Sequence, residues 1–131
     1  MALIRSGIAG ASGGGALNPY EYVTIGCGTN APATKDTFTS GTAFNLSASI
    51  YCQGALICVR GLSGTIECDS NNNVYYHLIG IKADGTVNNI VPGASSGTTS
   101  MSSQSFSDYE YLIMQAGASG TNNTRITVTV S

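Results

Sequence analysis

The segment that decides the fold is Ala55-Leu-Ile-Cys-Val-Arg60, followed after one glycine by Leu62-Ser-Gly-Thr-Ile-Glu-Cys68. The first part is an almost unbroken apolar run of strand length, which is typical of a fully buried strand. The second part alternates, with Leu62 and Ile66 on one side and polar residues on the other. The two patterns predict two β-strands, of which the second has one polar face.

Similar patterns continue along the chain from Tyr20 onward. Asp84-Gly85 predicts a hairpin turn. Asp69–Asn73 is also predicted to be a turn, because Asp and Asn side chains accept backbone hydrogen bonds there. Gly97–Phe106 is rich in Ser and Thr and is predicted to be either an exposed strand or a loop. Further strands are predicted at 22–27, 44–53, 74–82, 87–91, 109–116 and 125–131.

These patterns define the fold class, since no segment has the periodicity of an amphipathic helix. About eight short strands separated by turns predict an all-β chain folded as a two-sheet antiparallel β-sandwich. A jelly roll is the preferred topology, because such sandwiches close two Greek keys from about eight strands. A small barrel is the alternative. We assign the sandwich domain to residues 19–131.

Residues 1–18 differ from this domain because they are rich in glycine, alanine and serine. Such a composition suits a disordered tail, which is the common fate of a terminus. A plain linker, however, would not need apolar residues, so the second interpretation is an extended arm that orders on a neighbouring subunit. We assign 1–18 as a glycine-rich N-terminal docking arm whose docking residues are Leu3, Ile4, Arg5 and Ile8.

The chain is unusually poor in charge: only 9% of its residues are charged, against about 25% in ordinary soluble domains. Polarity comes instead from 16 Ser, 14 Thr and 10 Asn. A surface of this kind does not repel its neighbours, which favours assembly. The net charge of −2 and the absence of a basic block argue against nucleic-acid binding. No apolar stretch is long enough for a membrane span, and Arg5 interrupts any secretion signal, which favours cytoplasmic synthesis.

The sequence contains no convincing catalytic or metal-binding pattern. His77 is the single histidine, and no Gly-x-Ser-x-Gly motif accompanies it. Cys27, Cys52 and Cys68 share strand faces with apolar residues, which predicts free buried thiols rather than the bridges of a secreted protein. No Cys-x-x-Cys pair indicates zinc. We therefore predict a protein that is not an enzyme and has no cofactor or metal.

Tyrosine is the residue type best suited to a contact surface here, because it combines apolar area with a hydroxyl group. The chain has seven tyrosines and no tryptophan. Our candidates for a contact or glycan-binding surface are Tyr20, Tyr22, Tyr75, Tyr76, Tyr109 and Tyr111.

Two stretches carry a resemblance to a known group of proteins. Met1-Ala-Leu-Ile-Arg-Ser-Gly7 precedes the glycine-rich arm, and Phe106-Ser-Asp-Tyr-Glu-Tyr-Leu-Ile-Met-Gln-Ala-Gly117 precedes a Thr/Val-rich terminal strand. Both resemble small β-sandwich virion proteins of tailed bacteriophages and prophages, of the head-decoration, head-fibre and tail-appendage types. The resemblance implies a structural role without catalysis, in many copies per particle, with the arm docked on the capsid or tail.

The resemblance also sets expectations for partners and location. The partners would be other virion proteins and further copies of the chain, with a trimer for fibre-like parts. The protein would be made in the bacterial host cytoplasm and would reside in the virion. The alternative function is a carbohydrate-binding or host-receptor-binding module that recognises a cell-surface glycan through the tyrosines. A small hydrolase built on His77 is the weakest hypothesis.

Overall fold

The computed structural model describes residues 17–26, 35–46, 52–93, 98–117 and 123–131. Within these ranges the chain forms ten β-strands and no helix. The described residues therefore contain no helix that is long and apolar enough to cross a membrane. The strands are β1 (Glu21–Gly26), β2 (Lys35–Thr37), β3 (Phe44–Leu46), β4 (Cys52–Cys58), β5 (Gly64–Val74), β6 (His77–Ile81), β7 (Val87–Val91), β8 (Thr98–Phe106), β9 (Tyr111–Gln115) and β10 (Thr124–Val130).

The strands form two sheets in which every pairing is antiparallel. The larger sheet has six strands in the order β2-β1-β4-β9-β6-β7, and the smaller has four in the order β3-β10-β5-β8. The predicted fold class is therefore confirmed: the chain is all-β, with two antiparallel sheets packed as a sandwich.

The pairing of the last eight strands is nested. β3 pairs with β10, β4 with β9, β5 with β8, and β6 with β7. The turn between β6 and β7 is the predicted Asp84-Gly85 hairpin, in which Gly85 has a φ of 91° and the Lys82 amide donates to the Thr86 carbonyl at 2.9 Å. β1 and β2 extend the larger sheet beyond β4.

The main core lies between the two sheets. Ile57 and Leu112 of the larger sheet are fully buried there, as are Ile66 and Ile126 of the smaller sheet. At one edge, the ring of Tyr22 stacks on the ring of Phe44 with centroids 4.0 Å apart, which joins β1 to β3 across the core. Apolar burial on this scale is the main stabilising contribution to a sandwich.

The larger sheet is also buried on its other face. Ala55 and Ile57 of β4 belong to the core between the sheets, whereas Leu56 and Cys58 belong to a second apolar cluster on the opposite side. All four are no more than 2% exposed. The prediction of a fully buried strand at Ala55–Arg60 is thus confirmed for β4. The apolar run lacks alternation because both faces of the strand are buried at residues 55–58.

The smaller sheet, by contrast, has a polar outer face. Glu67 of β5 and Arg125 of β10 are exposed between buried neighbours, and Ser105 of β8 is exposed as well. Arg125 and Asp69 are direct cross-strand partners, and the Arg125 guanidinium donates two hydrogen bonds of 2.9 Å to the Asp69 carboxylate. The sandwich is therefore asymmetric, because only the larger sheet is apolar on both sides.

The turn predicted at Asp69–Asn73 is wrong, because these residues continue β5 to Val74. The pairing with β8 is irregular here, with a register shift between Asp69 and Val74. The Asn71 amide donates to the Asn123 carbonyl at 3.1 Å, and the Asn71 side chain accepts from the Asn123 amide at 2.6 Å. Asn71 thus makes both of these hydrogen bonds to a distant part of the chain and not within a local turn.

Other boundaries also shift. The strand predicted at 74–82 is interrupted at Tyr75 and Tyr76 and resumes as β6. Most of Gly97–Phe106 is the strand β8 rather than a loop. The stretch 47–51 within the predicted strand 44–53, and positions 118–122 of the turn before β10, lie outside the described residues.

The burial of β4 on both faces predicts two similar losses of stability. Leu56→Ala and Ile57→Ala should each lower the free energy of unfolding by about 2–5 kcal/mol, because both leave a cavity in a packed cluster. Urea denaturation measures this, with the exposed Thr129→Ala as a control that should cost less than about 1 kcal/mol. A Leu56→Ala effect as small as that of the control would contradict the second buried face.

Candidate functional site

The surface that distinguishes this sandwich is the apolar side of the larger sheet that faces away from the smaller one. We call it the outer face. Register places Val23 beside Leu56, Leu56 beside Ile113, and Ile113 beside Ile79, so one apolar row crosses four strands. The outer face comprises Val23, Ile25, Leu56, Cys58, Ile79, Ile81, Val87, Tyr111 and Ile113.

Burial is uneven across the outer face. Cys58, Ile81 and Tyr111, which pair in one row, are no more than 2% exposed. Ile25 at the opposite end is 36% exposed, and Val87 at the β7 edge is 56% exposed. The outer face is therefore closed at the end that carries Cys58, Tyr111 and Ile81, partly buried at Ile113 and Ile79, and open at Ile25 and Val87.

Leu17, just before β1, packs into the closed part of this face and is 2% exposed. The Arg60 guanidinium donates to the Leu17 carbonyl at 3.0 Å and lies 3.4 Å from the Glu110 carboxylate. The Glu110 side chain is only 2% exposed, whereas the Arg60 side chain is 40% exposed. A partly buried ion pair thus fixes the point at which the N-terminal segment meets the sheet.

The turn into β1 is held by further hydrogen bonds. The Asn18 amide donates to the Glu21 carboxylate at 2.7 Å, and the Tyr20 amide donates to the Cys58 carbonyl at 3.2 Å. The Asn18 amide, followed by Lys35, holds the pKa of Glu21 below its ordinary value. Leu17 and Asn18, assigned to the arm from the sequence, therefore contact the sandwich. The docking residues Leu3, Ile4, Arg5 and Ile8 lie outside the described residues.

The six candidate tyrosines divide by burial. Tyr22, Tyr76 and Tyr111 are no more than 6% exposed, so their rings are not available at the surface of the described chain. Burial also raises the pKa of Tyr76 to about 12. Tyr20 is 37% exposed and Tyr75 is 62% exposed. The sixth, Tyr109, is partly buried, and its hydroxyl accepts a hydrogen bond of 3.0 Å from Asn88.

The two predicted tyrosine pairs do not share strand faces, because one member of each precedes its strand. Tyr20 itself has a φ of 71°, and Asp108, next to Tyr109, has a φ of 62°. The left-handed Tyr20 turns the backbone, so the alternation of β1 does not extend back to it. Tyr109 packs against the core between the sheets, whereas Tyr111 belongs to the outer face. The structure therefore brings no pair of candidate tyrosines together on an exposed strand face of the described chain.

Tyr75 stands beside a shallow cavity of about 280 Å³. Gln53 of β4 and Gln115 of β9 line the same cavity, and both amides are exposed. An exposed aromatic ring beside amide groups combines a stacking surface with hydrogen-bond donors and acceptors.

The described cysteines are buried, and the single histidine lies at a sheet margin. Cys52, Cys58 and Cys68 are free and buried, while Cys27 lies outside the described residues. Burial raises the pKa of the Cys58 thiol, and that of Cys68 to about 12, so these thiols are poor nucleophiles. His77 Nε2 lies 3.1 Å from the Asn89 side-chain oxygen at the sheet margin. In the described ranges, no three of the usual metal-ligating residues are grouped.

Sequence reasoning missed the outer face as a surface. The sequence did contain a signal for it. In three strands, consecutive apolar residues point to opposite faces of the sheet: Tyr22 and Val23, Leu78 and Ile79, and Leu112 and Ile113. The chemistry that this face supports is apolar contact with another polypeptide layer. No family model, no curated protein and no solved structure matches the chain.

The Arg60 contacts predict a clear difference between the two arginine ion pairs. Arg60→Leu should lower the free energy of unfolding by about 1–3 kcal/mol, because it leaves the buried Glu110 carboxylate without its cation. Arg125→Leu is the matched control, since the Arg125–Asp69 pair is exposed and should be worth less than about 1 kcal/mol. Urea denaturation of both variants measures the difference. Equal losses would contradict a special role for Arg60.

Proposed function

We propose that this chain is a non-enzymatic structural protein of a bacteriophage virion, of the capsid-decoration, head-fibre or tail-appendage type. It is displayed as a β-sandwich and attached through its N-terminal arm. The observation that carries the proposal is the outer face with Leu17 anchored on it. Leu17, the first residue that the structure describes, is held at a fixed point on this apolar surface by Arg60, so an arm attached to another protein would be joined firmly to the sandwich.

The remaining surface also supports a role in assembly. The cations Lys35, Arg60 and Arg125 each lie within 3.4 Å of a carboxylate oxygen. Their partners neutralise much of the little charge that the chain has. The exposed positions of β8 are mostly serine. Neighbouring copies could approach such a neutral surface without electrostatic repulsion.

Self-association is part of the proposal. Homo-oligomers are usually symmetric, and a trimer suits a fibre-like part. The open margin of the outer face, with Ile25 and Val87, offers apolar contact area. The nested pairing of β3 to β10 supports a jelly-roll topology for the displayed domain. The partners are other virion proteins, and the chain resides in the virion after synthesis in the host cytoplasm.

Deletion of residues 2–15 tests attachment through the arm. We expect the shortened chain to fold but to be incorporated at least about tenfold less, because its docking contacts are gone. Quantitative mass spectrometry of particles assembled with each variant measures the copy number. Tyr75→Ala, a change of an exposed residue within the sandwich, serves as the control for expression and handling. Unchanged incorporation of the shortened chain would eliminate the docking role.

A second candidate function is a carbohydrate-binding or receptor-binding module. The observation that favours it is Tyr75, with its exposed ring beside the amides of Gln53 and Gln115. A sugar ring could stack on the tyrosine while its hydroxyl groups bond to the two amides. The cavity is small, which suits a terminal sugar better than a long chain.

Glycan-array screening tests this second function. Any glycan found should bind at least about tenfold more weakly to Tyr75→Ala, because the stacking surface is removed. Tyr20→Ala removes another exposed tyrosine and should leave binding unchanged. The carbohydrate hypothesis fails if no glycan binds at high protein concentration, or if both variants bind as the natural chain does.

A further inference from the structure

Two neighbouring cavities lie at the end of the sandwich that carries the β4–β5, β6–β7 and β8–β9 turns. One has a volume of about 300 Å³ and the other of about 530 Å³. We call the two together the end cleft, because they share lining residues. The shared residues are Ser63, Ser107, Asp108 and Tyr109. The end cleft lies beyond the last residue of β4, whereas the cavity beside Tyr75 lies at the first residues of that strand.

The walls of the end cleft are held together by backbone hydrogen bonds. The Glu110 amide donates to the Ile81 carbonyl at 2.7 Å, and the Val59 amide donates to the Glu110 carbonyl at 2.9 Å. The β8–β9 turn is therefore joined to the ends of both β4 and β6. A ligand would meet walls that are already formed, so its binding would not be weakened by the cost of ordering them.

One wall of the end cleft carries an aromatic ring in a fixed position. Tyr109 packs over Gly80, where a Cβ atom would overlap the ring, and the Tyr109 hydroxyl accepts the hydrogen bond from Asn88. The residue is only partly buried and lines both cavities. The end cleft therefore offers a ligand an apolar surface whose position is set before binding.

The polar side chains of the end cleft are available to a ligand. Those of Ser63, Ser107 and Asp108 make no hydrogen bond to other residues of the described chain, and all three residues are exposed. Each hydroxyl group can donate and accept a hydrogen bond, and the carboxylate can accept several. Hydrogen-bonding groups of both kinds thus line the same space as the tyrosine ring.

The charges that line the end cleft cancel. Arg60 is paired with Glu110, and the remaining two charged side chains, Lys82 and Asp108, have opposite signs. Net attraction would therefore favour neither an anion nor a cation. The ligand that suits this lining is uncharged, rich in hydroxyl groups and apolar on one side.

We propose that the end cleft binds a neutral sugar. Tyr109 contacts the C–H face of the sugar ring, while Ser63, Ser107 and Asp108 bond to its hydroxyl groups. The cavity of about 300 Å³ is at the lower end of the range for small-molecule sites, which suits a single sugar ring. The adjoining cavity leaves room for a second ring. This site goes beyond both proposed functions, since neither the arm nor Tyr75 takes part in it.

Mapping of chemical shifts by NMR tests the proposal on the natural full-length chain. The probes are glucose, galactose, mannose and N-acetylglucosamine, with maltose as a two-ring probe. Ligands of about 12 non-hydrogen atoms often bind with millimolar dissociation constants, so each probe is titrated to about 50 mM. At least one of them should shift the backbone amide signals of residues 61–63 and 107–110.

A variant of Asp108 tests the site at the level of one residue. Asp108→Gly removes the carboxylate and keeps a residue that readily adopts the left-handed conformation found there. It should weaken binding of the sugar at least about tenfold, because a charge-assisted hydrogen bond is lost. Tyr75→Ala, at the other end of the sandwich, is the control and should leave the affinity unchanged.

Three results would overturn the proposal. The first is the absence of shifts at 61–63 and 107–110 with every probe, and the second is an unchanged affinity in Asp108→Gly. The third is a set of shifts confined to Gln53, Tyr75 and Gln115, which would assign sugar binding to the second candidate function. The mapping needs neither a variant nor a particle, so its outcome is independent of variant folding and of virion incorporation.

Discussion

Both faces of the six-stranded sheet have to be kept away from water, and the rest of the structure follows from this constraint. β4 shows it most clearly, because Ala55 and Ile57 pack towards the smaller sheet while Leu56 and Cys58 pack on the outer face. Burying a leucine or isoleucine side chain contributes about 1.5–3 kcal/mol. That is a large share of the stability of a small domain. The smaller sheet covers one face, and Leu17 packs on the other.

This requirement explains why the two sides of the sandwich differ. The outer face of the smaller sheet holds serine, threonine and the exposed Arg125–Asp69 pair, so it is suited to display. On the outer face of the larger sheet, Leu17 is packed, and the half-exposed Arg60 connects its carbonyl to the buried Glu110 carboxylate. Attachment through the arm, as we propose, would therefore orient the polar face outward. The low charge of the chain suits a protein surrounded by neighbours.

The sequence was most informative where one physical effect dominated. The apolar run Ala55–Arg60 predicted a fully buried strand, and the alternation after Arg125 predicted β10, because burial alone determines both patterns. Asp84-Gly85 predicted its hairpin because the turn requires a left-handed residue. Asp69–Asn73 failed because its hydrogen-bond partner, Asn123, lies far away in sequence. A prediction made from the preferences of neighbouring residues cannot take account of a partner that is distant in sequence.

The candidate site was harder to predict for a similar reason. Tyr20 and Tyr109 precede their strands, and the turns there cannot be located from alternation. Nor could the sequence show that Leu17 and Arg60 meet, since 43 positions separate them.

The most direct test of the two-sided burial is the alkylation of the natural cysteines, with peptide mass spectrometry resolving each one. Cys58 lies under the outer face, whereas Cys52 and Cys68 lie between the sheets. Burial raises the pKa of Cys58, which further slows its reaction. The account predicts that Cys58 is as protected as the other two and reacts only when the chain unfolds. Rapid labelling of Cys58 while Cys52 and Cys68 stay protected would contradict it.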